Sequence, residues 1–105
     1  MHLKPMSQNT NSSIQENILR TVQGIQAGKT LSYKEVAILS GYPSHARFVG
    51  YLMSKNYDPK IPCHRVIKSN NEVGEYNRGV TQKIAMLRTE GVQIVSMPNG
   101  VYVVQ

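Results

Sequence analysis

Two helix-start signals separated by a glycine-containing turn constrain the fold of this chain more than any other feature. Ser32-x-x-Glu35 is a capping box, in which each side chain satisfies a backbone N–H that the first helical turn leaves unpaired. The helix that it opens is predicted to run through Leu39 to Gly41. The turn Gly41-Tyr-Pro-Ser44 follows, and Ser44 is predicted to cap a second helix over 45–55. This pattern is that of a helix-turn-helix, whose second helix commonly recognises DNA, although an ordinary helical hairpin has the same signals.

A further helix is predicted upstream, after a polar leader. Residues 1–12 are polar and include a proline, which favours a flexible leader. Ser13 and Glu16 form another capping box, and Gly28 is expected to end the helix. Between them, apolar residues recur at helical spacing at Ile14, Ile18, Val22 and Ile25. One domain is therefore expected over residues 13–105.

The C-terminal part is predicted to supply a last helix and a small β element. The helix should begin near Thr81 and end at Glu90-Gly91. Asn99-Gly100 then stands between two apolar runs, which predicts a hairpin, although the preceding proline favours a loose turn or an edge strand. A helix-turn-helix followed by a hairpin predicts a mainly α fold of the winged-helix type.

Charge and composition limit the classes of function. Twelve Lys and Arg against six Asp and Glu give a net charge of +6, which favours a polyanionic partner, above all nucleic acid. The single cysteine excludes an internal disulfide and cannot build a thiolate zinc site alone, so neither metal nor cofactor is expected. No apolar run approaches the roughly 20 residues of a membrane span, and no signal peptide opens the chain. An intracellular protein without a membrane partner is predicted.

The single cysteine lies in a stretch that favours a reactive thiol. Cys63 follows a proline and precedes His64 and Arg65, and the apolar pair Val66-Ile67 favours a short buried strand behind it. Neighbouring positive charge favours the thiolate, which is the nucleophilic form of cysteine. An inert buried cysteine beside a surface His-Arg pair is the commoner meaning of such a dipeptide. From these residues alone, both interpretations stay open.

Two other segments favour contact with a bulky or flat ligand. The second helix of the helix-turn-helix carries Arg47 near its N-terminus, and Ala46 and Gly50 are small enough for close approach. The loop over 73–79 places Tyr76 between two glycines, where the ring could stack on a flat ligand. A plain surface loop with a structural tyrosine is the alternative.

Together these motifs resemble those of the O6-alkylguanine-DNA alkyltransferases. The Pro-Cys-His-Arg-Val run at 62–66 is the most specific element, and Ser-Tyr at 32–33 and Ala-Arg-x-Val-Gly at 46–50 precede it in family order. The resemblance extends over about residues 14–91. It implies minor-groove binding, flipping of the damaged nucleotide, and irreversible transfer of an alkyl group from guanine O6 to the protein's own cysteine.

The resemblance implies a role for each matching catalytic residue. Cys63 matches the alkyl acceptor, His64 the general base that acts through a water, and Glu90 the acid that orients this histidine. Tyr33 matches the tyrosine that donates a hydrogen bond to the purine as negative charge leaves. Asn56 matches the hinge that ties the recognition helix to the active-site turn.

The resemblance also implies two sets of binding residues. The DNA-binding set is Tyr33, Lys34, Ala46, Arg47, Gly50 and Ser69. The base-pocket set is Met53, Val66, Val73, Gly74, Tyr76, Asn77 and Arg78. Arg47 matches the finger that fills the gap left by the flipped nucleotide. The carbonyls of Cys63 and Val66 would accept from the guanine amine, and the Asn77 N–H would face O6.

The chain departs from the family pattern in four respects. The link from Asn56 to Pro62 is about one residue shorter than in many members, and Asn77, like Arg78, stands where many relatives have a smaller residue. The family's usual N-terminal domain, of a different fold, is not expected here. Phe48 and Tyr51 stand where small residues are common. Arg78 also replaces a residue that is often small, and its side chain would either narrow the pocket entrance to bulky adducts or swing outward to a phosphate.

Two alternatives to the enzyme remain. Alkyltransferase-like proteins also lack the N-terminal domain and mark the lesion for another pathway, but they usually carry another residue in place of Cys63. A winged-helix transcription regulator would not explain why Tyr33, Arg47, Asn56 and Tyr76 fall in family order. The sequence therefore predicts a single-turnover methylated-DNA–protein-cysteine methyltransferase. It should be a monomer that repairs double-stranded DNA in the cytoplasm or the nucleus.

Overall fold

The computed structural model describes residues 10–105, which form four α-helices and two small β-sheets. The helices are α1 (Thr10–Gln23), α2 (Tyr33–Leu39), α3 (Ala46–Lys55) and α4 (Val80–Thr89). The strands are β1 (Leu31–Ser32), β2 (Val66–Ile67), β3 (Ile94–Met97) and β4 (Gly100–Val103); β1 pairs with β2 in parallel, and β3 with β4 antiparallel. The predicted mainly α fold with a small β element is confirmed. None of the helices in residues 10–105 has the length and apolarity needed to cross a bilayer.

The capping box at the start of α2 is present as predicted. The Ser32 Oγ accepts a hydrogen bond from the Glu35 N–H at 2.9 Å, and the Glu35 Oε1 accepts from the Ser32 N–H at 2.8 Å. Ser32 is also the last residue of β1, so the box fixes the point where strand becomes helix.

The start of α3, the recognition helix, differs from the prediction by one residue. His45 occupies the N-cap position, without a side-chain cap bond, and the predicted cap at Ser44 is wrong. The turn closes through the His45 N–H, which donates to the Tyr42 carbonyl at 2.9 Å. This bond carries the turn one residue further than the Gly-Tyr-Pro-Ser signal suggests, and the Ser44 Oγ instead lies 3.3 Å from His45 Nδ1.

Helix α1 begins and ends earlier than predicted. It starts at Thr10 rather than Ser13, so the last three residues of the predicted leader are helical, while residues 1–9 lie outside the described part of the chain. It ends at Gln23, because the Gly24 N–H closes the last turn on two carbonyls at 3.2 Å. A glycine is costly inside a helix, and Gly24 therefore ends this one before Gly28 is reached.

Strand β2 separates two apolar clusters. Val66 and Ile67 are neighbours in a strand, so their side chains point to opposite faces. The first cluster joins α1, α2 and α3, and comprises Ile14, Ile18, Val22, Ile25, Val36, Ala37, Val49, Leu52, Met53, Cys63 and Val66. The second joins α4 to the hairpin, and comprises Ile67, Val73, Leu87, Val92 and Val103. The predicted cysteine stretch thus lies at the junction of both clusters.

The hairpin of β3 and β4 is docked onto the segment that follows β2. Residues 98–99 form its two-residue loop, so the predicted hairpin is present. The Val73 N–H donates to the Val101 carbonyl, and the Val103 N–H donates to the Asn71 carbonyl, both at 2.8 Å. These bonds bring β4 to the edge of the functional site.

Replacing Ser32 with alanine is expected to lower the free energy of unfolding by about 1 kcal/mol, because the Glu35 N–H loses its acceptor. Ser44→Ala is the matched control and should change it by less than about 0.5 kcal/mol, since this exposed hydroxyl caps no helix. Urea denaturation of both variants measures the difference, and equal losses would contradict the assignment of the cap.

Candidate active site

Cys63 is held at the start of a single 3₁₀ turn, Cys63–Arg65. Its N–H donates to the Ile61 carbonyl at 2.8 Å, and its carbonyl accepts from the N–H of Val66, the first residue of β2. The cysteine is 7% exposed and packs in the first cluster, while one side of it forms part of a cavity wall. The backbone of Cys63 is therefore held by hydrogen bonds at both its N–H and its carbonyl, which fixes the position of the thiol.

Asn56 connects the recognition helix to this turn. It is the C-cap of α3, and its Nδ2 donates to the Ile61 carbonyl at 3.0 Å. Its Oδ1 accepts from the Asp58 N–H at 3.2 Å, which shapes the linking segment. One side chain thus joins the end of α3 to the residue whose carbonyl also holds Cys63, which is the geometry that a hinge requires.

His64 and Arg65 converge on the carboxylate of Glu90, the C-cap of α4. His64 Nε2 lies 2.9 Å from Glu90 Oε2. Arg65 donates from Nε to Oε1 at 3.0 Å and from Nη2 to Oε2 at 2.7 Å, a two-pronged contact. Its Nη1 also donates to the Ile25 carbonyl at 2.6 Å. The turn that carries the cysteine is therefore anchored to α4 and to the segment after α1.

The network around Glu90 determines which nitrogen of His64 can act as a base. Burial by itself raises the pKa of Glu90, but the hydrogen bonds and charges of Arg65 and His64 together outweigh it and hold that pKa below its ordinary value. The carboxylate is thus ionised at neutral pH and can only accept, so His64 Nε2 carries a hydrogen toward it. The neutral imidazole then leaves Nδ1 free to take a proton.

A cavity of about 770 Å³ opens in front of Cys63. Several residues predicted for the site line it: Tyr33, Gly50, Met53, Val73, Gly74, Tyr76 and Asn77. Ligand sites in proteins commonly enclose about 300–1,000 Å³, so the space is sufficient for a nucleobase with a substituent. The structure therefore brings the cysteine and most of the predicted base-pocket residues together.

The two tyrosines of the cavity remain hydrogen-bond donors at neutral pH. Burial raises the pKa of Tyr33, and the negative charges of a Cys63 thiolate and of Glu75 raise it further. Burial and Cys63 likewise raise the pKa of Tyr76, against an opposing effect of Arg78. Both hydroxyls are thus kept protonated beside the cysteine.

The predicted DNA-binding residues lie in two places. Gly50 lies beside Tyr33, since a Cβ added to it would stand 3.9 Å from the tyrosine ring, an ordinary contact distance. Arg47 is exposed about one turn earlier on α3. Lys34 and Ser69, both exposed, meet at a second cavity of about 500 Å³ between β2 and the start of α2. The recognition helix and this second cavity thus flank Tyr33.

Phe48 and Tyr51, which replace small residues of the family pattern, form a ring pair along α3. Their planes differ by 12° and their centroids are 6.2 Å apart, and the Lys55 ammonium lies 5.7 Å from the centre of the Tyr51 ring. Ala46, by contrast, is half-buried and packs against the first cluster. A pair of aromatic rings therefore lies along the recognition helix.

Two residues predicted for the base pocket have other partners in the structure. The side chain of Val66 is fully buried in the first cluster, and its carbonyl, the predicted acceptor for the guanine amine, accepts from Lys83 Nζ at 2.7 Å. Arg78 is exposed; its Nη2 donates to the Tyr57 carbonyl at 3.0 Å, and its guanidinium lies 5.2 Å from the centre of the Tyr57 ring. The two roles considered for Arg78, at the pocket entrance or on a phosphate, stay predictions.

Lys83 is a site residue that sequence reasoning missed. It is completely buried, and its Nζ donates to the carbonyls of Val66 at 2.7 Å and Glu75 at 3.1 Å. Burial lowers its pKa to about 8, although the charges of Cys63 and Glu75 oppose this. The available signal was its place one helical turn before Leu87, on the buried side of α4.

The hairpin also contributes to the cavity, which sequence reasoning did not predict. Gly100 and Val101 line it, together with Lys68 and Glu72. No local pattern indicates this contact, since it depends on how β4 docks. Residues 10–105 hold no group of three His, Cys, Asp or Glu side chains placed to bind a metal ion.

Fold and site together define a class of protein. A basic winged helix-turn-helix has a base-sized cavity that is lined in part by its second helix. A single cysteine forms part of the cavity wall, next to a histidine–carboxylate pair. This is a winged helix-turn-helix domain built around one buried cysteine.

Comparison with known proteins identifies the family. The family described as "6-O-methylguanine DNA methyltransferase, DNA binding domain" matches residues 13–92. The chain belongs to this family. A methylated-DNA–protein-cysteine methyltransferase of Methanothermobacter thermautotrophicus is 41% identical over 81 residues, covering 76% of this chain and 45% of that protein. The chain spans less than half of the length of this relative.

Solved structures show the same likeness. A crystal structure of S. pombe Atl1 in complex with damaged DNA containing O6-carboxymethylguanine has a TM-score of 0.78 and 32% identity, and covers 90% of both chains. A crystal structure of Mycobacterium tuberculosis OGT in complex with DNA has a TM-score of 0.70 and 35% identity, and covers 73% of this chain and 48% of that one.

Lys83→Met is expected to change how stability depends on alkaline pH. Lys83 has a pKa of about 8 in the folded protein against an ordinary 10.5, so between these values the unfolded chain holds a proton that the folded chain has lost. The contribution of Lys83 to the free energy of unfolding therefore rises with pH between these two pKa values, by up to about 3 kcal/mol.

Urea titrations at successive pH values measure this effect as the difference in free energy of unfolding between the two proteins. The unaltered protein should gain stability relative to Lys83→Met above pH 8, the pKa of the buried lysine. Tyr33 and Tyr76 are common to both proteins and cancel. Lys60→Met, at an exposed position, is the control, and parallel curves for Lys83→Met would contradict the prediction.

Proposed function

We propose that this protein binds DNA containing O6-alkylguanine and transfers the alkyl group, methyl above all, to the Sγ of Cys63 in a single irreversible turnover. The observation that carries this proposal is the position of Cys63 in the wall of a base-sized cavity, directly before the His64–Glu90 pair. Relatives named methylated-DNA–protein-cysteine methyltransferases support it.

The geometry supports a displacement in which every proton and electron pair has a destination. His64 Nδ1 takes the thiol proton through a water, because Nε2 is engaged by Glu90, and the imidazolium stays paired with that carboxylate. The Sγ thiolate attacks the sp³ carbon on O6; the S–C bond forms, the C–O6 bond breaks, and its electron pair stays on the guanine. The Tyr33 hydroxyl donates to the purine as this charge develops. The thioether product has no means of release, so each protein reacts once.

The charge and shape of the surface support DNA binding around this chemistry. The net charge of +6 favours the phosphate backbone, and exposed Lys34 and Ser69 would contact it. The small residue Gly50 would allow close approach of α3 to the minor groove, whose degenerate pattern fits repair without sequence preference. Arg47 would fill the stack when the nucleotide is flipped.

The same proposal covers the organisation and setting of the protein. We assign the function to one domain over residues 13–105, since both apolar clusters lie within it. It would act as a monomer on double-stranded DNA, inside the cell, in the cytoplasm or the nucleus. It would need neither metal nor cofactor, because the nucleophile, the base and the donor are all side chains of this chain.

A non-enzymatic function is the second candidate, favoured by one observation. The structure of S. pombe Atl1 has a TM-score of 0.78, above the 0.70 of M. tuberculosis OGT. In this alternative the protein would bind the flipped base and signal to another repair pathway. The presence of Cys63, with His64 and Glu90 arranged behind it, favours the enzyme.

Intact-mass spectrometry distinguishes the two candidates. After exposure to a duplex containing O6-methylguanine, the protein is expected to gain one methyl group, and peptide mapping should place it on Cys63. Cys63→Ala should bind the same duplex and gain none, because the cavity remains while the nucleophile is gone. Tight binding by a protein that stays unmodified would support the signalling alternative, and more than one turnover per protein would contradict the proposed chemistry.

Arg47→Ala is expected to slow transfer from duplex DNA by about tenfold, about 1.4 kcal/mol in the barrier, because an unfilled stack disfavours the flipped state. Transfer from single-stranded DNA should change little, since no stack needs refilling there. Arg88→Ala, exposed on α4, removes the same charge and serves as the control in single-turnover kinetics. Equal losses on both substrates would exclude the finger role.

A further inference from the structure

The loop of residues 74–79, here called the lesion loop, forms the cavity wall next to the end of the recognition helix. Gly74, Tyr76 and Asn77 line the cavity. Gly74 and Gly79 bound the loop with φ values of 80° and 99°, a region that favours glycine. The position of this loop decides where the Tyr76 ring stands relative to a flipped base.

The Asn77 side chain fastens the lesion loop to the last turn of α3. Its Nδ2 donates to the Asn56 carbonyl at 2.6 Å, and lies 3.3 Å and 3.4 Å from the carbonyls of Ser54 and Met53. Carbonyls in the last turn of a helix lack partners within the helix and carry the negative end of its dipole. Asn77 thus provides, from the cavity wall, the donors that the recognition helix lacks at its end.

Tyr57 and Arg78 make a second, outer connection between the same two segments. The Tyr57 hydroxyl donates to the Asn77 carbonyl at 3.4 Å, and Arg78 Nη2 donates to the Tyr57 carbonyl at 3.0 Å. The Arg78 guanidinium also covers the Tyr57 ring at 5.2 Å. Two adjacent loop residues are therefore bound to the stretch of chain that ends α3.

These contacts are suited to opening and closing. The outer pair is exposed, so water can replace its hydrogen bonds when the loop lifts. Asn77 Oδ1, by contrast, is buried and has no hydrogen-bond partner within residues 10–105 when the loop is down. A buried acceptor without a partner destabilises the closed loop, and water can satisfy it when the loop opens. This offsets part of the stabilisation that the Nδ2 hydrogen bonds give to the closed loop.

We infer that Asn77 is a positioning residue: with Tyr57 and Arg78 it forms a latch that holds the lesion loop against the recognition helix. The closed loop keeps the Tyr76 ring in position to pack on a flipped base. The inference rests on the proposed function, because the flipped O6-alkylguanine is the ligand that the closed loop holds. Binding of a ligand that needs the closed loop weakens in proportion to the fraction of molecules in which the loop is closed. Binding of undamaged duplex needs only α3 and the phosphate contacts, so its affinity should not depend on the latch.

The test compares the dissociation constants of two duplexes, one with O6-methylguanine and one with guanine, by fluorescence anisotropy. All proteins carry Cys63→Ala, so that no complex reacts. Asn77→Asp keeps the shape of the side chain and removes its donors. It is expected to reduce the preference for the damaged duplex by about tenfold, as a loop that is mostly open would. Asn99→Asp, at the exposed hairpin turn, makes the same change of charge and should keep the full preference.

A double-variant cycle tests whether the contacts act as one device. Tyr57→Ala removes the hydroxyl donor and the ring contact of the outer connection, keeps the carbonyl that accepts from Arg78, and should also reduce the preference. Adding it to Asn77→Asp should cause little further loss, since the loop is already released, whereas independent contacts would give additive losses. Additive losses, or loss of binding to both duplexes in parallel, would overturn the latch. Tyr57→Phe, which removes only an exposed hydroxyl, should give a partial loss and serves if the other variants fail to fold.

Binding by the Cys63→Ala protein separates a failure of the proposed function from a failure of the latch. If the Cys63→Ala protein shows no preference for the damaged duplex, the proposed function is wrong. If it shows that preference and Asn77→Asp retains it in full, the function stands and the latch is wrong.

Discussion

The hydrogen-bonded network on the Glu90 carboxylate is the interaction on which the rest of the site depends. Arg65 and His64 both donate to it, and Arg65 reaches on to the carbonyl of Ile25. One carboxylate thereby joins the end of α4, the cysteine turn and the segment after α1. Removing one partner from such an ion pair leaves the remaining charge with less compensation. The position of the thiol is thus secured by the same carboxylate that holds His64.

The cavity combines this fixed wall with one that is held by different means. Asn56 extends the fixed part to the recognition helix, so the distance from α3 to the cysteine is set before any DNA arrives. The lesion loop is held by side-chain hydrogen bonds to the end of that helix and the residue after it. Holding a flipped base and alkylating a thiol would use this same space, so likeness of fold does not separate an enzyme from a lesion-binding protein. A measurement of alkyl transfer to Cys63 would.

Much of the fold follows from signals that act within a few residues. The Ser32–Glu35 box was predictable because both of its bonds span three residues, and the short strand at 66–67 followed from its apolar pair. Errors arose where two local signals compete. Gly24 ended a helix that Gly28 was expected to end, and a backbone turn bond moved the start of α3 by one residue. Such contests are decided by small energies that the pattern alone does not rank.

By itself, the sequence determined the family, the fold class and the order of the chemical groups, since motif residues near one another in the chain carry that information. The tertiary structure alone decided what meets across longer separations. Lys83 reaches the Val66 carbonyl across 17 residues, Arg78 reaches Tyr57 across 21, and the hairpin closes one side of the cavity. A lysine on an apolar stripe or an arginine in a loop has many possible partners in a sequence. For Lys83, the packing of the two clusters around β2 decides which carbonyl becomes the partner, because a buried donor must be paired where the backbone places it.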